Sequence, residues 1–169
     1  MQNRKFITLL LLCLLASGTA FSQQKQLFVK NEKNSNAIKI KWFSDELWHK
    51  EGAVYYRKPV GSENWEKLTP KPIKFGDFQI SNADYQSDPS LKDYIELAKN
   101  ATPAQKEGFI KLSLLFKSLL SEPFARYTGI LFIDTTAIEG TAYQYKVNLM
   151  RYGIEDLYAI SDTIIAGNK

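Results

Sequence analysis

The residues that carry most enzymatic and metal chemistry are scarce in this sequence of 169 residues. It has a single cysteine, Cys13, and a single histidine, His49. A Ser-His-Asp or Cys-His arrangement would have to use His49 as its base, and no Gly-x-Ser-x-Gly motif is present. Transition-metal sites need several histidine or cysteine ligands, and phosphate loops need clustered glycines, which are also missing. We therefore predict that the chain is not an enzyme and has no catalytic residue, metal or other cofactor.

Long apolar runs are scarce too, and the one near the amino terminus has the features of a secretory signal peptide. Residues 6–15 are almost continuously apolar, the basic pair Arg4 and Lys5 precedes them, and small residues follow. This arrangement predicts a signal peptide over residues 1–22, with cleavage before Gln23. The run is too short for a membrane span, so an uncleaved anchor helix is the less favoured alternative. We expect no transmembrane segment after cleavage and a periplasmic, surface-associated or extracellular location.

Basic and acidic residues are nearly balanced once this peptide is removed. Arg4 and Lys5 are the only charges before Gln23, so the remaining 147 residues carry 20 basic and 18 acidic side chains, a net charge of +2. Nucleic-acid binding needs a concentrated basic face, so no nucleic-acid partner is predicted. The same residues contain no cysteine, so the hydrophobic core must stabilise the exported chain without disulfides. That length is sufficient for one domain, residues 23–169.

Alternating apolar and polar residues predict β-strands on both sides of the chain's middle third. Ile38, Ile40 and Trp42 lie on one face of such a segment, and Lys39 and Lys41 lie on the other. Composition and turn residues predict further strands at residues 26–30, 53–58, 65–68, 130–135, 142–151 and 157–165.

The middle of the chain, from about residue 70 to 126, has a different pattern. Residues 77–88 are predicted to form a long polar loop, and a short helix capped by Ser90 is predicted over residues 91–99. The loop's oxygen-bearing side chains lack the spacing of an EF-hand, so a solvated loop is favoured over a calcium site. These side chains are Asp77, Asn82, Asp84 and Asp88.

A longer helix is predicted from Thr102 to Pro123. Thr102 and Gln105 have the spacing of a capping box, and apolar residues follow at helical intervals. The helix is apolar over more than half of its circumference, so we expect it to be covered on more than one side. Its leucine stripe is interpreted as packed on the sheet, with an exposed docking stripe as the alternative. This stripe comprises Leu114, Leu115 and Leu119.

Short motifs in four of the predicted strands resemble those of a fibronectin type III domain. In chain order they are Ile38-x-Ile40-x-Trp42, Val54-x-Tyr56-Arg57, Trp65-x-x-Leu68 and Gly140-Thr141-x-Tyr143-x-Tyr145-x-Val147. In this resemblance Trp42 matches the buried tryptophan of the family, and Tyr143 matches the tyrosine that fixes the corner before the sixth strand. Both residues are therefore expected to be structural. The match covers roughly 90 residues, enough to form the sandwich around one core.

The chain departs from the family between Leu68 and Gly129, where only a few residues would be needed. In this respect it is similar to some exported bacterial proteins whose first such domain carries a helical insertion before an Asp-Thr-Thr strand. The resemblance implies a mainly β, fibronectin type III-like antiparallel β-sandwich of the immunoglobulin-like fold. An α-helical insertion at about residues 70–126 would lie between its fourth and fifth strands.

The resemblance implies binding, spacing or scaffolding rather than chemistry. In a sandwich of this type, the loop at residues 44–51, the insertion and the turn at residues 152–156 emerge at one end, where binding surfaces are commonly built. We therefore expect Trp48, His49 and Tyr152 to contact a partner, which would be a protein or a glycan at the cell envelope. A buried role is the alternative for Trp48, because tryptophan is usually well buried.

Two other functions are compatible with the sequence. A small enzyme or accessory domain in polysaccharide processing would use a pair of carboxylates, and Asp45 and Glu155 are among the acids free to meet in space. A subunit of a larger surface assembly would use the helical insertion for docking. The small number of catalytic residue types favours a non-catalytic binding or scaffolding module of the bacterial envelope or exterior.

Overall fold

A computed structural model describes residues 26–43, 50–102, 105 and 108–167. The predicted signal peptide, Asp45, Trp48 and His49 lie outside these residues. Within them the chain is mostly antiparallel β-sheet with four helices, which confirms a β-rich fold.

Eight strands and four helices follow one another in the described part of the chain. The strands are β1 (Gln26–Asn31), β2 (Ile38–Phe43), β3 (Ala53–Pro59), β4 (Glu66–Lys67), β5 (Leu131–Asp134), β6 (Ala142–Arg151), β7 (Ile154–Ile160) and β8 (Ile164–Ile165). The helices come between β4 and β5 and are α1 (Asn82–Ser87), α2 (Leu91–Asn100), α3 (Phe109–Leu120) and α4 (Glu122–Tyr127). None of these four helices has the length and apolar character needed to cross a membrane.

The strands form two antiparallel sheets. The first sheet has the order β1-β2-β5, and the second has the order β4-β3-β6-β7, with β8 paired to the start of β6. In the second sheet Tyr56 on β3 lies opposite Lys67 on β4 and Lys146 on β6. A bulge between Val147 and Asn148 shifts the register of β7 on β6.

Both sheets bury one face in a common hydrophobic core. The alternation in β2 puts Ile38, Ile40 and Trp42 in this core and leaves Lys39 and Lys41 on the opposite face. β6 alternates in the same way and contributes four buried side chains, Tyr143, Tyr145, Val147 and Leu149. A period of two residues therefore positions the inner faces of both sheets.

The helices bury a second apolar cluster. Its buried members are Leu91, Ile95 and Ala98 of α2, Leu114 of α3, and Phe124 and Tyr127 of α4. Helix α4 joins the two clusters, because Ala125 packs in the core shared by the sheets. Ala53 and Ile73 exchange backbone hydrogen bonds of 2.9 and 2.8 Å, which tie the segment before α1 to the start of β3.

The first two helices differ from the predictions made for them. The predicted polar loop over residues 77–88 contains α1, because Ser81 and Asp84 form a reciprocal capping box at its start. Ser90 precedes α2 but does not cap it with its side chain, since its hydroxyl donates to Asp88 Oδ1 at 2.7 Å. A polar stretch without apolar periodicity can thus still form a helix when its first turn is capped.

The longest helix and the last strand also have different bounds from those predicted. Thr102 and Gln105 exchange the capping-box hydrogen bonds, yet α3 begins only at Phe109. Gly108 lies immediately before it with φ −108° and ψ −147°, and glycine has a low helix propensity. The predicted strand over residues 157–165 divides into β7 and β8, which are separated by a short irregular stretch.

Candidate partner-binding surface

Polar contacts fix α3 against the first sheet and against the start of α2. Lys41 projects from the outer face of β2, and its Nζ donates to the carbonyl oxygen of Ser118 at 2.6 Å. An ammonium group at this end of a helix satisfies a carbonyl that has no partner within the helix. On another side Lys117 is largely buried, pairs with Asp88 and donates to the Ser90 hydroxyl at 2.7 Å.

The electrostatics of these contacts stabilise the same arrangement. Hydrogen bonds from Lys117 and Ser90 hold the pKa of Asp88 below its usual value, so the carboxylate is charged at neutral pH. Burial lowers the pKa of Lys41, while the charge of Glu122 acts in the opposite direction. Lys41 therefore links α3 to the first sheet, and the Lys117–Asp88 pair links it to the segment before α2.

Helix α3 turns five large apolar side chains towards solvent. Phe109 is 82% exposed and Leu120 is 86% exposed, while Leu112, Phe116 and Leu119 are each close to half exposed. At about 100° per residue these five positions fall within one arc of roughly 100° that contains no polar residue. We call these five residues the α3 apolar face. Large exposed apolar patches on soluble proteins usually mark interaction sites.

Helix α3 is covered on more than one side, as expected, but the expectation that its leucine stripe packs on the sheet is wrong. Leu114 is buried in the second cluster and Leu115 packs partly against it, whereas Leu119 is 46% exposed. The predicted leucine stripe is thus divided between two sides of the helix. The spacing of apolar residues could not show which side is buried and which is exposed, because apolar residues occupy most of the helix circumference. The overlooked signals were Lys117 and the fully buried Ser118, which mark the side that meets the rest of the protein.

The turn between β6 and β7 presents Tyr152, the predicted contact residue that lies in the described part of the chain. Its side chain is 96% exposed and its φ is +53°. The Glu51 carboxylate accepts hydrogen bonds from the backbone N–H groups of Tyr152 (2.8 Å) and Gly153 (2.7 Å), which lower the pKa of Glu51. The turn is therefore tied to Glu51, the last residue of the loop predicted over residues 44–51.

Trp42 and Tyr143, the residues expected to be structural, are both buried. Trp42 Nε1 donates to the Tyr55 hydroxyl at 2.8 Å, and that hydroxyl donates to the Gly129 carbonyl at 2.8 Å. The Tyr143 hydroxyl accepts a hydrogen bond of 3.3 Å from the backbone N–H of Ile138, five residues upstream. These polar groups are used inside the protein, so neither residue presents a surface to a partner.

The acidic residues that could have served in catalysis or calcium binding have separate structural partners. Asp77 accepts from the backbone N–H of Lys74 at 2.9 Å, and Asp84 caps α1. Glu155 accepts hydrogen bonds from three side chains of the second sheet. Nowhere in the described ranges do three His, Cys, Asp or Glu side chains come together as a metal site requires.

Comparison with known proteins assigns the chain to no family. No protein-family model matches the sequence, and no curated protein is significantly similar to it. The α3 apolar face and the Tyr152 turn are therefore the features from which a function can be argued.

Proposed function

We propose that this chain is a non-catalytic binding or scaffolding module that docks a protein partner on the α3 apolar face. The module would be exported and would act at the bacterial envelope or exterior. The observation that carries this proposal is the exposure of five large apolar side chains on a helix that polar contacts hold in place. Such a helix suits recognition in which an apolar helical face lies in a groove of another protein.

The division of strands between the sheets supports a fibronectin type III-like sandwich as the scaffold. In immunoglobulin constant-type sandwiches the first, second and fifth strands share one sheet, and the third, sixth and seventh share the other. The chain separates β1, β2 and β5 from β3, β6 and β7 in the same way. The burial of Trp42 and the hydroxyl contact of Tyr143 agree with this scaffold. The helices would then be an insertion between the fourth and fifth strands.

The chemistry of the α3 apolar face favours a protein over a glycan. The five side chains carry no hydrogen-bonding group, so sugar hydroxyls buried against them would lose hydrogen bonds to water without replacement. An apolar protein groove has no such penalty, and each Leu or Phe buried there contributes about 1.5–3 kcal/mol before the costs of association. Trp48, His49 and Tyr152 remain predicted contacts at the loop end of the domain.

Photo-cross-linking in the cells that produce the chain tests this docking. A photoreactive amino acid replaces Phe116 in one variant and Ile138, a 67% exposed residue of the β5–β6 connection, in the control. We expect a discrete protein adduct from position 116 that is absent at position 138. Adding Leu112→Ser and Leu120→Ser should remove the adduct while the protein keeps a cooperative urea transition, because Leu120 is 86% exposed and Leu112 about half exposed. Equal adducts at both positions, or none at position 116, would reject the proposal.

Export is tested separately by sequencing the amino terminus of the chain purified from its native cells. Cleavage of the proposed signal peptide predicts that the purified chain begins at Gln23 or its cyclised form. An amino terminus that retains residues 6–15 would show an uncleaved anchor and contradict cleavage.

A further inference from the structure

Two lysines of the second sheet lie close to the ring of Trp65, on the side of the sheet turned away from the shared core. Lys146 on β6 lies opposite Tyr56 on β3, and Lys58 is two residues further along β3, so all three project from the same face. The Nζ atoms of Lys58 and Lys146 lie 5.0 and 4.7 Å from the centre of the Trp65 ring system. Lys146 Nζ is also 4.5 Å from the Tyr56 ring centre. We call these four residues the lysine–aromatic cluster.

The carboxylates on the neighbouring strands are already bound to other groups. Glu155 accepts three hydrogen bonds, from Tyr56 Oη (2.6 Å), Asn148 Nδ2 (2.9 Å) and Lys67 Nζ (3.0 Å). Glu66 accepts from the Arg57 guanidinium at 2.7 Å. Among the residues that the structure describes, neither Lys58 nor Lys146 has a carboxylate partner within ion-pair distance.

Three other partly buried lysines of this protein have a carboxylate or carbonyl oxygen as partner. Lys39 pairs with Glu32 and Glu122, Lys117 pairs with Asp88, and Lys41 donates to the Ser118 carbonyl. Lys41 and Lys117 also lie near aromatic rings, whereas Lys58 and Lys146 have the rings without a carboxylate partner among the described residues. Burial lowers the pKa of Lys146, and the like charge of Lys58 lowers it further although Glu155 opposes both. An anion shared by the two ammonium groups would relieve their mutual repulsion.

We infer that Lys58 and Lys146 bind carboxylate groups of an acidic polysaccharide, and that Trp65 packs against its sugar chain. Charge-assisted contacts are stronger at half-buried ammonium groups than at fully exposed ones, because solvent screens them less. Trp65 is itself only half-buried, and both ammonium groups lie within 5.0 Å of its ring centre, so a polymer held by Lys58 and Lys146 would lie beside this ring. A sheet face offers side chains on adjacent strands about 5 Å apart, which suits an extended polymer.

The lysine–aromatic cluster shares no residue with the α3 apolar face. The experiment on polysaccharide binding can therefore contradict this inference without contradicting the proposed protein docking, and the reverse also holds. Binding is measured by calorimetry with polygalacturonate as the acidic polymer and dextran as the neutral one. The site variant is Lys58→Gln with Lys146→Gln. The control is Lys33→Gln with Lys71→Gln, which makes the same change in net charge at two exposed lysines of other loops. A third variant, Trp65→Ala, removes the ring.

The unchanged protein should bind polygalacturonate and not dextran. We expect the site variant to weaken binding by about tenfold or more, and the control variant to change it by less than about twofold. Trp65→Ala should weaken binding while the thermal melt stays that of a folded protein. The inference is overturned if the unchanged protein does not bind, or if both lysine pairs have equal effects. Equal or tighter binding of dextran sulfate or single-stranded DNA would also overturn it, because the site would then not select a carboxylate polysaccharide.

Discussion

Arg57 and Asp134 connect the two sheets through a buried ion pair. Arg57 Nη1 lies 2.8 Å from Asp134 Oδ2, and the two side chains are only 8% and 2% exposed. Asp134 also accepts hydrogen bonds from the Tyr145 hydroxyl (2.8 Å) and from the N–H and hydroxyl of Thr136 (2.9 and 2.7 Å). Arg57 belongs to β3 and Asp134 to β5, so the pair helps to fix how the sheets face each other.

Removing Asp134 should strongly destabilise the protein. Asp134→Ala leaves a buried guanidinium whose other carboxylate partner, Glu66, is largely exposed. We expect a loss of about 3–5 kcal/mol in the free energy of unfolding, measured with urea at pH 7. Glu66→Ala is the matched control and should cost less than about 1 kcal/mol, because Glu66 is itself largely exposed and Arg57 keeps its buried partner Asp134. Similar losses in the two variants would contradict the role of the buried pair.

Trp42 should be more important for stability than Trp65. It is 2% exposed, and its loss would leave a cavity and remove the hydrogen bond to Tyr55. Trp42→Ala is expected to cost about 3–5 kcal/mol in urea unfolding. Trp65→Ala, at a half-buried surface position, should cost less than about 1.5 kcal/mol. A loss below about 1 kcal/mol for Trp42→Ala would contradict its place in the core.

The strands could be predicted from the sequence because buried and exposed side chains alternate at every second residue along them. In β2 the alternation of Ile38, Ile40 and Trp42 with lysines determines which side chains face the core. β6 is equally regular. Strand order is a different matter, because no local pattern states that β6 pairs with β3. The lysine–aromatic cluster depends on that pairing and on the β3–β4 pairing, so spacing along the chain could not reveal it.

The helical surface could not be predicted for a related reason. Helix α3 carries apolar residues around most of its circumference, so the side that packs is decided by its neighbours. Lys41 on β2 and Asp88 before α2 hold two of its sides. Both partners are distant from α3 in the sequence. The pattern of residues within the helix therefore does not show which of its sides they contact. Candidate contacts at Trp48 and His49 lie outside the described residues and remain predictions.

Alkaline conditions should destabilise the protein through its buried tyrosines. Burial and the Glu155 carboxylate raise the pKa of Tyr56 to about 12, and burial also raises the pKa of Tyr55 and Tyr145. Tyrosine in an unfolded chain titrates near pH 10. The unfolded state therefore loses protons that the folded state keeps, so stability present below about pH 10 is lost between about pH 10 and 12. The slope is about 1.4 kcal/mol per pH unit for each such tyrosine.

Urea unfolding between about pH 8 and 11.5 measures this slope. Tyr145→Phe removes one of the buried phenols and should make the decline shallower by about 1.4 kcal/mol per pH unit. Tyr152→Phe changes an exposed phenol in the β6–β7 turn and should leave the slope unaltered. A decline that is equally steep in the unchanged protein and in Tyr145→Phe would show that other groups cause the alkaline loss.

Gly52 and Gly61 have nearly the same φ angle in different surroundings. Their φ angles are +88° and +90°, which L side chains rarely adopt. A Cβ atom at Gly52 would lie 2.6 Å from the carbonyl oxygen of Ile73, whereas no atom lies within 4 Å of one at Gly61. Gly61→Ala therefore introduces left-handed strain of about 1–2 kcal/mol. Gly52→Ala adds a clash with the backbone pair that ties the segment before α1 to β3.

We expect Gly52→Ala to lower the free energy of unfolding by at least about 2 kcal/mol more than Gly61→Ala does. Urea unfolding of the two variants at pH 7 provides the comparison, and the conformational strain common to both cancels in the difference. That difference reports the close approach of Ile73 to Gly52 and so measures how firmly the helical segment is held on the sheet. If the two variants lose equal stability, the segment before α1 can move away from β3 at little cost, and this anchor contributes little to the position of the helices.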